Sequence, residues 1–482
     1  MTTWYDVSDL TTWTLPHLTG IQRTTVGILQ GLVDRGLDLR LVRFDQDCGS
    51  FVPIEAAALP PAVQRHLPWP AETVADDSQR PEAALPQPLI QPRKKRRIGR
   101  DTIFGTSPAA ADLRLAFREF KQASRQLRKR LRRWASVRFF AGRPPLPSLR
   151  PARRGGRQTR PVPRPVVSAS GPISPGDVLL SLGASWPIAG HAEAAAALRR
   201  EGVTVLRMIY DLIPVIKPQW VDEQTVCEVT AWARNVLTES TGVLTISEFS
   251  RREIERYCEE SRFAPPPVAV VRLGDTLPSG DEQTPPLPRF VPRRPFFVCV
   301  STLDVRKNHR LLYDAWQMLA ARDPEGCPDL VCLGVSHVFV TDLLREIRHD
   351  RAVNGRIHLL HGVEDTELAW YYRHCAATIY PSRYEGWGLP VAESLGHGRL
   401  CLASEATSIP EISSDLPAFF DPFDVHGLVR LVDKTLTEPE WVRQREATIR
   451  EQFRPTPWTR TADQVLAAIT AAGHHLDGRS AA

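Results

Sequence analysis

Hydrophobic and polar residues alternate along this chain in two patterns, which together predict an α/β fold. Short apolar runs, such as residues 178–182 and 296–300, are typical of strands buried on both faces of a parallel sheet. Between such runs, apolar positions are spaced by three, four or seven residues, as Ile21, Ile28 and Leu32 are, which indicates amphipathic helices. Strand, helix and strand units build parallel sheets whose ligand sites lie at the carboxyl ends of the strands.

The alternation is interrupted twice, and the interruptions predict the domain organisation. A chain of 482 residues exceeds what one hydrophobic core usually supports. We expect an N-terminal Rossmann-like domain over residues 1–275, with a basic insertion at about 90–165. A Pro-rich linker over 276–295 then leads to a C-terminal Rossmann-like domain over 296–482, so that two parallel-sheet domains face a cleft. The sequence leaves open whether the last helix crosses back to the first domain.

One segment accounts for the basic character of the whole chain. Residues 93–164 contain 23 Lys and Arg and three acidic residues, a net charge of +20. Because the chain as a whole carries +6, the remainder is acidic, at −14. The segment begins in a run of basic residues and ends in a Pro/Arg-rich stretch with little apolar surface to bury.

The middle of this segment has the pattern of a basic amphipathic helix. Its apolar residues recur at helical spacing at Leu113, Phe117, Phe120, Leu127, Leu131 and Trp134. Three interpretations remain open: a helix lying on an anionic membrane surface, a nucleic-acid-binding patch, or an insertion that packs its apolar face on the parent domain. We favour the membrane surface, and nucleic acid is the partner that we favour least.

Features that the sequence lacks limit the cellular compartment and the kind of chemistry that we expect. The N-terminus lacks a basic segment followed by an apolar run, and no apolar stretch is long enough to span a membrane. We therefore expect a cytoplasmic protein, peripheral at the inner face of the cytoplasmic membrane. Asp45-Gln46-Asp47 has the Asp-x-Asp spacing that some metal-dependent enzymes use, but no other ligand spacing in the sequence supports a metal site. We predict no metal site and no cofactor.

The most informative stretch follows the strand that ends near Ser382. A glycine-containing loop leads to Pro390 at the expected start of a helix, where unpaired amides and the helix dipole favour an anion. Glu385 and Glu393 flank this helix start and would repel a phosphate placed directly against them. Each more plausibly accepts hydrogen bonds from hydroxyl groups. A ligand with hydroxyls on both sides of a phosphate is a nucleotide sugar.

A second cationic element lies at the end of another strand. Arg306 and Lys307 precede a predicted helix, and their positive charge could stabilise a diphosphate leaving group in place of a metal ion.

These residues resemble a known family, the retaining GT-B glycosyltransferases often called family 4, or glycosyl transferases group 1. The resemblance covers most of residues 296–425 and rests on motifs in the family's order: Arg306-Lys307-Asn308, His361-Gly362-Val363, Tyr380-Pro381-Ser382, the pair Glu385 and Glu393, and Ser408-Ile409-Pro410-Glu411-Ile412. In the first domain, Thr19-Gly20-Ile21-Gln22-Arg23 resembles the subgroup with a TGIQR signature, whose members often build surface polysaccharides.

The resemblance implies that residues 1–275 form an acceptor domain and residues 296–482 a nucleotide-sugar donor domain. It also implies roles for residues of the second domain. Glu385 would contact the hydroxyls of the donor sugar, and Glu393 would bind the nucleotide ribose. Lys307 would bind the diphosphate, with Arg306 beside it. The donor would also contact the loop residues Gly386, Trp387, Gly388 and Leu389.

The same resemblance implies three contacts from the first domain. Gly20 would let its loop approach the donor phosphates or the acceptor, with Arg23 nearby, and Asp211 would contact the sugar. The chain departs from many relatives by having Ser301-Thr302 in place of Gly-Arg and Tyr210-Asp211 in place of His-Asp.

We therefore predict a retaining, metal-independent glycosyltransferase that moves a sugar, with mannose favoured, to a glycan or lipid-linked acceptor in surface polysaccharide or lipopolysaccharide synthesis. GDP-mannose is the favoured donor, and a UDP-sugar is the alternative. Two other classes stay open: a GT-B nucleotide-sugar epimerase or phosphorylase, and a noncatalytic scaffold that binds membrane or nucleic acid through residues 93–164.

Overall fold

The computed structural model describes residues 1–13, 18, 20–67, 172–276 and 287–479. The basic insertion, with its expected amphipathic helix, lies outside the described residues. So do Thr19 and residues 277–286 of the Pro-rich linker.

The N-terminal domain is built on a seven-stranded sheet in the order β3-β2-β1-β4-β5-β6-β7. Neighbouring strands are parallel except that β3 pairs antiparallel with β2. The strands are β1 Thr3–Asp6, β2 Leu39–Asp45, β3 Ser50–Pro53, β4 Val178–Ser181, β5 Thr204–Met208, β6 Gly242–Thr245 and β7 Val268–Val270. The helices are α1 Gly20–Asp34, α2 Pro61–Gln64, α3 His191–Arg200, α4 Ile213–Ile216, α5 Glu223–Glu239 and α6 Glu248–Glu260.

The C-terminal domain is built on a six-stranded parallel sheet in the order β10-β9-β8-β11-β12-β13. The strands are β8 Phe296–Val300, β9 Asp329–Leu333, β10 Ile357–Leu360, β11 Ala377–Tyr380, β12 Cys401–Ser404 and β13 Ala418–Phe420. The helices are α7 His309–Arg322, α8 Thr341–His349, α9 Asp365–His374, α10 Leu389–Gly396, α11 Val425–Thr437, α12 Pro439–Gln452 and α13 Trp458–Arg479.

Both sheets confirm the expected fold class of two Rossmann-like domains. The central strands β1, β4 and β5 are buried along their whole length, as continuous apolar runs in a parallel sheet should be. In the second sheet the strand order reverses between β8 and β11, which are neighbours. The connection from β8 leads towards β9 on one side of the sheet, and the connection from β11 leads towards β12 on the other. Open α/β sheets bind ligands at such a switch point, outside the carboxyl ends of the strands.

The last helix, α13, returns to the N-terminal domain. The Trp458 indole packs so closely on α1 that a Cβ added to Gly27 would lie 2.4 Å from the ring, and one added to Gly31 would lie 2.4 Å from the Trp458 carbonyl oxygen. Gly274, in the segment that leaves the first domain, meets the same ring at the same distance. Small residues therefore create the groove in which α13 lies. In the part of the chain that the structure describes, no helix is both long and apolar enough to cross a membrane.

Candidate active site

The cleft between the two sheets contains a cavity of about 450 Å³, within the range of roughly 300–1,000 Å³ that is typical of small-molecule sites. Both domains line it. All of the predicted site residues lie on its wall: Gly20, Arg23, Asp211, Arg306, Lys307, Glu385, Gly386, Trp387, Gly388, Leu389 and Glu393. The fold therefore brings together residues that the sequence separates by more than 300 positions.

Glu385 is the centre of a buried charge cluster. Its Oε1 accepts a hydrogen bond from Lys307 Nζ at 2.6 Å, and its Oε2 accepts one from Arg306 Nη1 at 2.5 Å. The Lys307 ammonium also donates to the hydroxyl of Tyr380 at 2.8 Å, and Arg306 donates to the carbonyl of Tyr384 at 2.9 Å. Two cations thus converge on one carboxylate between the ends of β8 and β11.

The cluster keeps Glu385 ionised. Burial by itself would raise the pKa of its carboxyl, but Arg306 and Lys307 outweigh that effect and lower the pKa to about 2. Burial, together with repulsion from Arg306, lowers the pKa of Lys307, which Glu385 partly offsets. At neutral pH, Glu385 is consequently an acceptor of hydrogen bonds and not a donor.

The loop between Glu385 and α10 carries the backbone of the site. Gly388 has a φ of +146°, which side chains other than glycine rarely permit, and α10 begins at the next residue with Pro390 in its first turn. Gly386 faces the other domain, because a Cβ there would lie 2.8 Å from the Tyr210 carbonyl oxygen and 3.1 Å from the Asp211 Cβ. Glycine at this position therefore permits close approach of the two domains.

The Ser-Ile-Pro-Glu-Ile region supports the same loop from behind. The Glu385 amide donates to Thr407 Oγ1 at 2.9 Å, and the Ser408 hydroxyl donates to the carbonyls of Glu385 at 2.9 Å and Trp387 at 3.1 Å. The Arg272 guanidinium lies over the Trp387 ring, 5.3 Å from its centroid. These hydrogen bonds and the stacking hold the loop in place, and the loop in turn sets the position of the Glu385 carboxylate.

Asp211 lies opposite this loop, on the N-terminal side of the cleft. Its Oδ1 accepts a hydrogen bond from the Ile213 amide at 3.0 Å. Burial raises the pKa of Asp211, while the positive charge of Arg306 partly opposes the rise. The neighbouring Tyr210 hydroxyl donates to the Leu182 carbonyl at 2.8 Å, so this hydroxyl is bound to the backbone of its own domain.

Arg23 connects the two domains at another point of the cavity. Its Nη1 lies 3.0 Å from Glu393 Oε1, and its Nη2 lies 2.7 Å from Asp365 Oδ1. The second oxygen of Glu393 accepts a hydrogen bond from the Tyr372 hydroxyl at 2.9 Å. Gly20 begins the same helix with a φ of +38°. Arg23 thus contacts the carboxylate that the resemblance links to ribose.

Four residues at the site escaped the sequence analysis or were quoted there without a role. Tyr380 orients Lys307, and Asn308 ties the loops together by donating to the carbonyls of Pro381 and Pro422. Asp365 and Tyr372 hold Arg23 and Glu393. Tyr380 and Asn308 belong to recognisable motifs, whereas nothing in the local sequence distinguishes Asp365 or Tyr372 from ordinary helix residues.

The Asp-x-Asp segment lies away from this cavity. Asp45 pairs with Arg43 at 2.7 Å and accepts a hydrogen bond from the Asp47 amide at 3.0 Å. Among the described residues, no group of three or more His, Cys, Asp or Glu side chains is arranged to hold a metal ion.

Comparison with known proteins adds a family to this geometry. Residues 283–452, which include all six strands of the second sheet, match the family described as Glycosyl transferases group 1. This segment carries a glycosyl transferases group 1 domain. The group 1 domain contains Lys307 and Glu385, whereas Arg23 and Asp211 belong to the N-terminal domain, which the match does not reach.

Two relatives of this chain come from Escherichia coli. The O-antigen chain mannosyltransferase B is 28% identical over 228 residues, which cover 47% of this chain and 59% of the relative. The serotype-specific mannosyltransferase WbdA is 27% identical over 175 residues, which cover 36% of this chain and 22% of the relative. The chain therefore spans less than two thirds of either relative.

Solved structures offer a more distant likeness. The UDP-forming α,α-trehalose-phosphate synthase from Burkholderia xenovorans matches with a TM-score of 0.49 and 15% identity, over 62% of this chain and 75% of that one. The sucrose-phosphate synthase from Thermosynechococcus elongatus matches with a TM-score of 0.44 and 18% identity, over 61% of this chain and 74% of that one. These sequences are too distant to inform the substrates of this chain.

Proposed function

We propose that this protein is a retaining, metal-independent glycosyltransferase that transfers a sugar from a nucleoside diphosphate to a glycan or lipid-linked acceptor in surface polysaccharide synthesis. The observation that carries the proposal is the cluster of Glu385, Lys307 and Arg306 at the switch point of a group 1 domain, facing Asp211 across the cleft. Catalysis by this arrangement is mainly electrostatic.

The two cations stabilise the charge that develops on the leaving group. As the bond between the sugar and the diphosphate breaks, negative charge accumulates on the departing oxygens. Lys307 and Arg306 already lie in the cavity, and α7 begins two residues after Lys307, so its dipole adds positive potential. Fixed charges in a site that excludes water need no reorganisation when the bond breaks.

Glu385 and Asp211 orient the sugar from opposite sides. The ionised Glu385 accepts hydrogen bonds from sugar hydroxyls, and its position is set by the two cations. Retention then follows if the acceptor oxygen attacks from the face that the diphosphate leaves, with a phosphate oxygen taking the acceptor proton. This route requires no separate general base.

A transfer assay tests the reaction class. Purified protein with labelled GDP-mannose and a lipid-linked acceptor should transfer the sugar with its anomeric configuration kept, as NMR of the product reports, and excess EDTA should leave the rate unchanged. The absence of both transfer and hydrolysis with every GDP- and UDP-sugar would overturn the proposal. Release of a free sugar epimer or a sugar phosphate would instead identify an epimerase or a phosphorylase.

Variants of the cluster test the site. We expect Glu385→Ala and Lys307→Ala each to lower kcat at least about 100-fold, the effect typical of removing one group that stabilises transition-state charge. The matched control is the surface pair Arg310 and Glu346, whose guanidinium and carboxylate lie 2.6 Å apart outside the cavity. Arg310→Ala and Glu346→Ala should keep near wild-type rates. Equal rates in folded variants of both pairs would contradict the assignment.

GDP-mannose is the proposed donor because both Escherichia coli relatives are named mannosyltransferases. A ligand that binds the native state raises its apparent stability by about 2.7 kcal/mol at 100 times its Kd. A thermal-shift panel should therefore give the largest rise with GDP-mannose and GDP. A larger rise in melting temperature with UDP-sugars would mean that the donor is a UDP-sugar, and the proposed reaction class would stand.

We further propose that residues 93–164 bring the enzyme to an anionic membrane surface at the inner face of the cytoplasmic membrane, where lipid-linked acceptors would lie. The net charge of +20 supports this, since each basic residue near such a surface contributes about 1 kcal/mol. The protein should sediment with anionic but not neutral vesicles and be released by high salt. Deleting the segment should abolish sedimentation and leave donor binding unchanged. A full-length protein that sediments with the vesicles but binds no donor, and loses this one activity on deletion, would favour the scaffold.

A further inference from the structure

Arg23 forms an ion-pair bridge between the two domains, and α1 itself gains nothing from the positive charge. The residue lies in the first turn of α1, which contains no acidic residue. A cation there opposes the helix dipole, so its own helix does not explain it. Its two carboxylate partners, Glu393 on α10 and Asp365 on α9, both belong to the other domain.

The Arg23 bridge holds Glu393 in one orientation. The Glu393 side chain is 7% exposed, so its charge is costly to leave without partners. Arg23 binds one of its oxygens and the Tyr372 hydroxyl binds the other. A carboxylate has about four acceptor positions, so these two bonds leave acceptor capacity for ligand hydroxyls while fixing the direction in which it points.

The bridge depends on contact between the two domains, because Arg23 lies on one of them and both of its carboxylate partners lie on the other. Tyr372 belongs to the same domain as Glu393 and stays with it, whereas Arg23 moves with α1. Opening the cleft would separate the guanidinium from both carboxylates at once. Burial and the two carboxylates have opposite effects on the pKa of Arg23, and the carboxylates prevail to raise it, so the Arg23 guanidinium keeps its positive charge.

We propose that Arg23 is a positioning residue that couples nucleotide binding to domain closure. It completes the hydroxyl-accepting geometry of Glu393 only in the closed state, so a nucleoside diphosphate binds that state more tightly and shifts the population toward it. This inference rests on the proposed function, which assigns nucleotide hydroxyls to Glu393.

The test measures binding and closure separately in the full-length protein. Calorimetry gives the Kd of GDP, with UDP as a second probe, and small-angle X-ray scattering gives the radius of gyration with and without nucleotide. The variants are Arg23→Gln, Arg23→Lys, Glu393→Gln and the double variant Arg23→Gln/Glu393→Gln. The control is Arg35→Gln, because Arg35 pairs with Asp463 on α13 at 2.6 Å outside the cavity.

We expect Arg23→Gln to raise the Kd of GDP and the donor KM by about tenfold, within the range typical of coupling between sites, with kcat changed less than about threefold. GDP should contract the wild type and Arg35→Gln but not Arg23→Gln. Arg23→Lys should be intermediate, because one ammonium cannot span two carboxylates as a guanidinium does. In the Glu393→Gln background, Arg23→Gln should add less than it does in the wild type, because only the ion pair with Asp365 remains to be lost.

Each of two binding results would overturn the inference alone, and one kinetic result would also count against it. One is GDP binding that Arg23→Gln leaves unchanged. The other is an equal loss with and without Glu393, which would mean that Arg23 acts independently of that carboxylate. A lower kcat at unchanged KM would indicate a folding defect and would also count against it. Failure of the wild type to bind GDP or UDP would overturn both this inference and the proposed function.

Discussion

Glu253 is a buried carboxylate whose charge state is sensitive to pH near neutrality. It lies on α6, is 2% exposed, and accepts a hydrogen bond from the Tyr384 hydroxyl of the other domain. Burial raises its pKa from 4.5 to about 7, Arg256 and Lys217 oppose the rise, and Asp211 adds to it. The folded protein therefore binds a proton here more tightly than the unfolded chain does.

The sign of the pH effect follows from that difference. Stability from this group is complete below pH 4.5 and is lost as pH rises through 7, by at most about 3 kcal/mol. Glu253→Gln keeps an acceptor for Tyr384 and carries no charge. We expect it to exceed the wild type in unfolding free energy by about 1–3 kcal/mol at pH 8 and by less than about 1 kcal/mol at pH 5, as measured by urea unfolding.

Glu255 supplies the control on the same helix. Its carboxylate is exposed and pairs with Arg251 at 2.5 Å. Glu255→Gln should shift stability by the same small amount at both pH values. A pH-independent effect of Glu253→Gln would show that this carboxylate is not protonated on folding.

At the scale of elements, the close packing of α13 on α1 depends on glycines, which have no side chain to block it. Its first residue, Trp458, fills the space above Gly27 and Gly274. We expect Gly27→Ala to destabilise the protein by about 1–3 kcal/mol, because the new methyl group overlaps the indole. In an uncrowded helix the same change would stabilise by about 0.5–1 kcal/mol. Thermal unfolding, with protease cleavage before Trp458 as a second readout, measures the effect.

The control for Gly27 is Gly473, on α13 itself. A Cβ added there has nothing within 4 Å and the backbone has no positive φ. Gly473→Ala should therefore leave stability unchanged or slightly raised. If Gly27→Ala behaved in the same way, the docking of α13 on α1 would not depend on the glycine groove.

Elements were predictable from sequence where a local pattern determines them. The helical spacing of Ile21, Ile28 and Leu32 predicts α1, which the structure places at Gly20–Asp34, and the apolar runs predict parallel strands such as β4 and β8. The antiparallel strand β3 and the helices α11 and α12 escaped prediction. Whether α13 docks on α1 depends on a groove formed by Gly27 and Gly274, two residues whose sequence neighbours do not reveal their proximity.

The features of the site can also be divided into those that the sequence predicts and those that it does not. The loop after β11 and the pair Arg306 and Lys307 were predictable because each belongs to a contiguous motif at the end of a strand. Their mutual pairing with Glu385 links positions 78 and 79 residues apart, and the contact of Arg23 with Glu393 spans 370. Such contacts depend on the order of the strands and on how the two domains meet. The local hydrophobic periodicity of the sequence contains neither kind of information.

At the scale of the whole molecule, a second contact also holds the two domains together. A side chain of the C-terminal domain caps helix α6 of the N-terminal domain. The Glu411 carboxylate accepts hydrogen bonds from the amides of Glu248 at 2.8 Å and Phe249 at 2.7 Å, at the N-terminus of α6. Tyr384 of the same domain contacts the Phe249 ring, with centroids 5.6 Å apart. A helix N-terminus without partners for its amides is unfavourable, so opening the cleft costs this cap.

Replacing Glu411 should consequently affect closure more than folding. We expect Glu411→Ala to weaken GDP binding about fivefold, which corresponds to about 1 kcal/mol for one helix cap, and to enlarge the radius of gyration. Ser247 provides the contrast, because its hydroxyl caps α6 from within the N-terminal domain by accepting from the Ser250 amide at 3.0 Å. Ser247→Ala should lower the melting temperature without changing the radius of gyration. Were Glu411→Ala to lower the melting temperature alone, the cap would serve only the stability of α6, and closure would depend on Arg23 and the ligand.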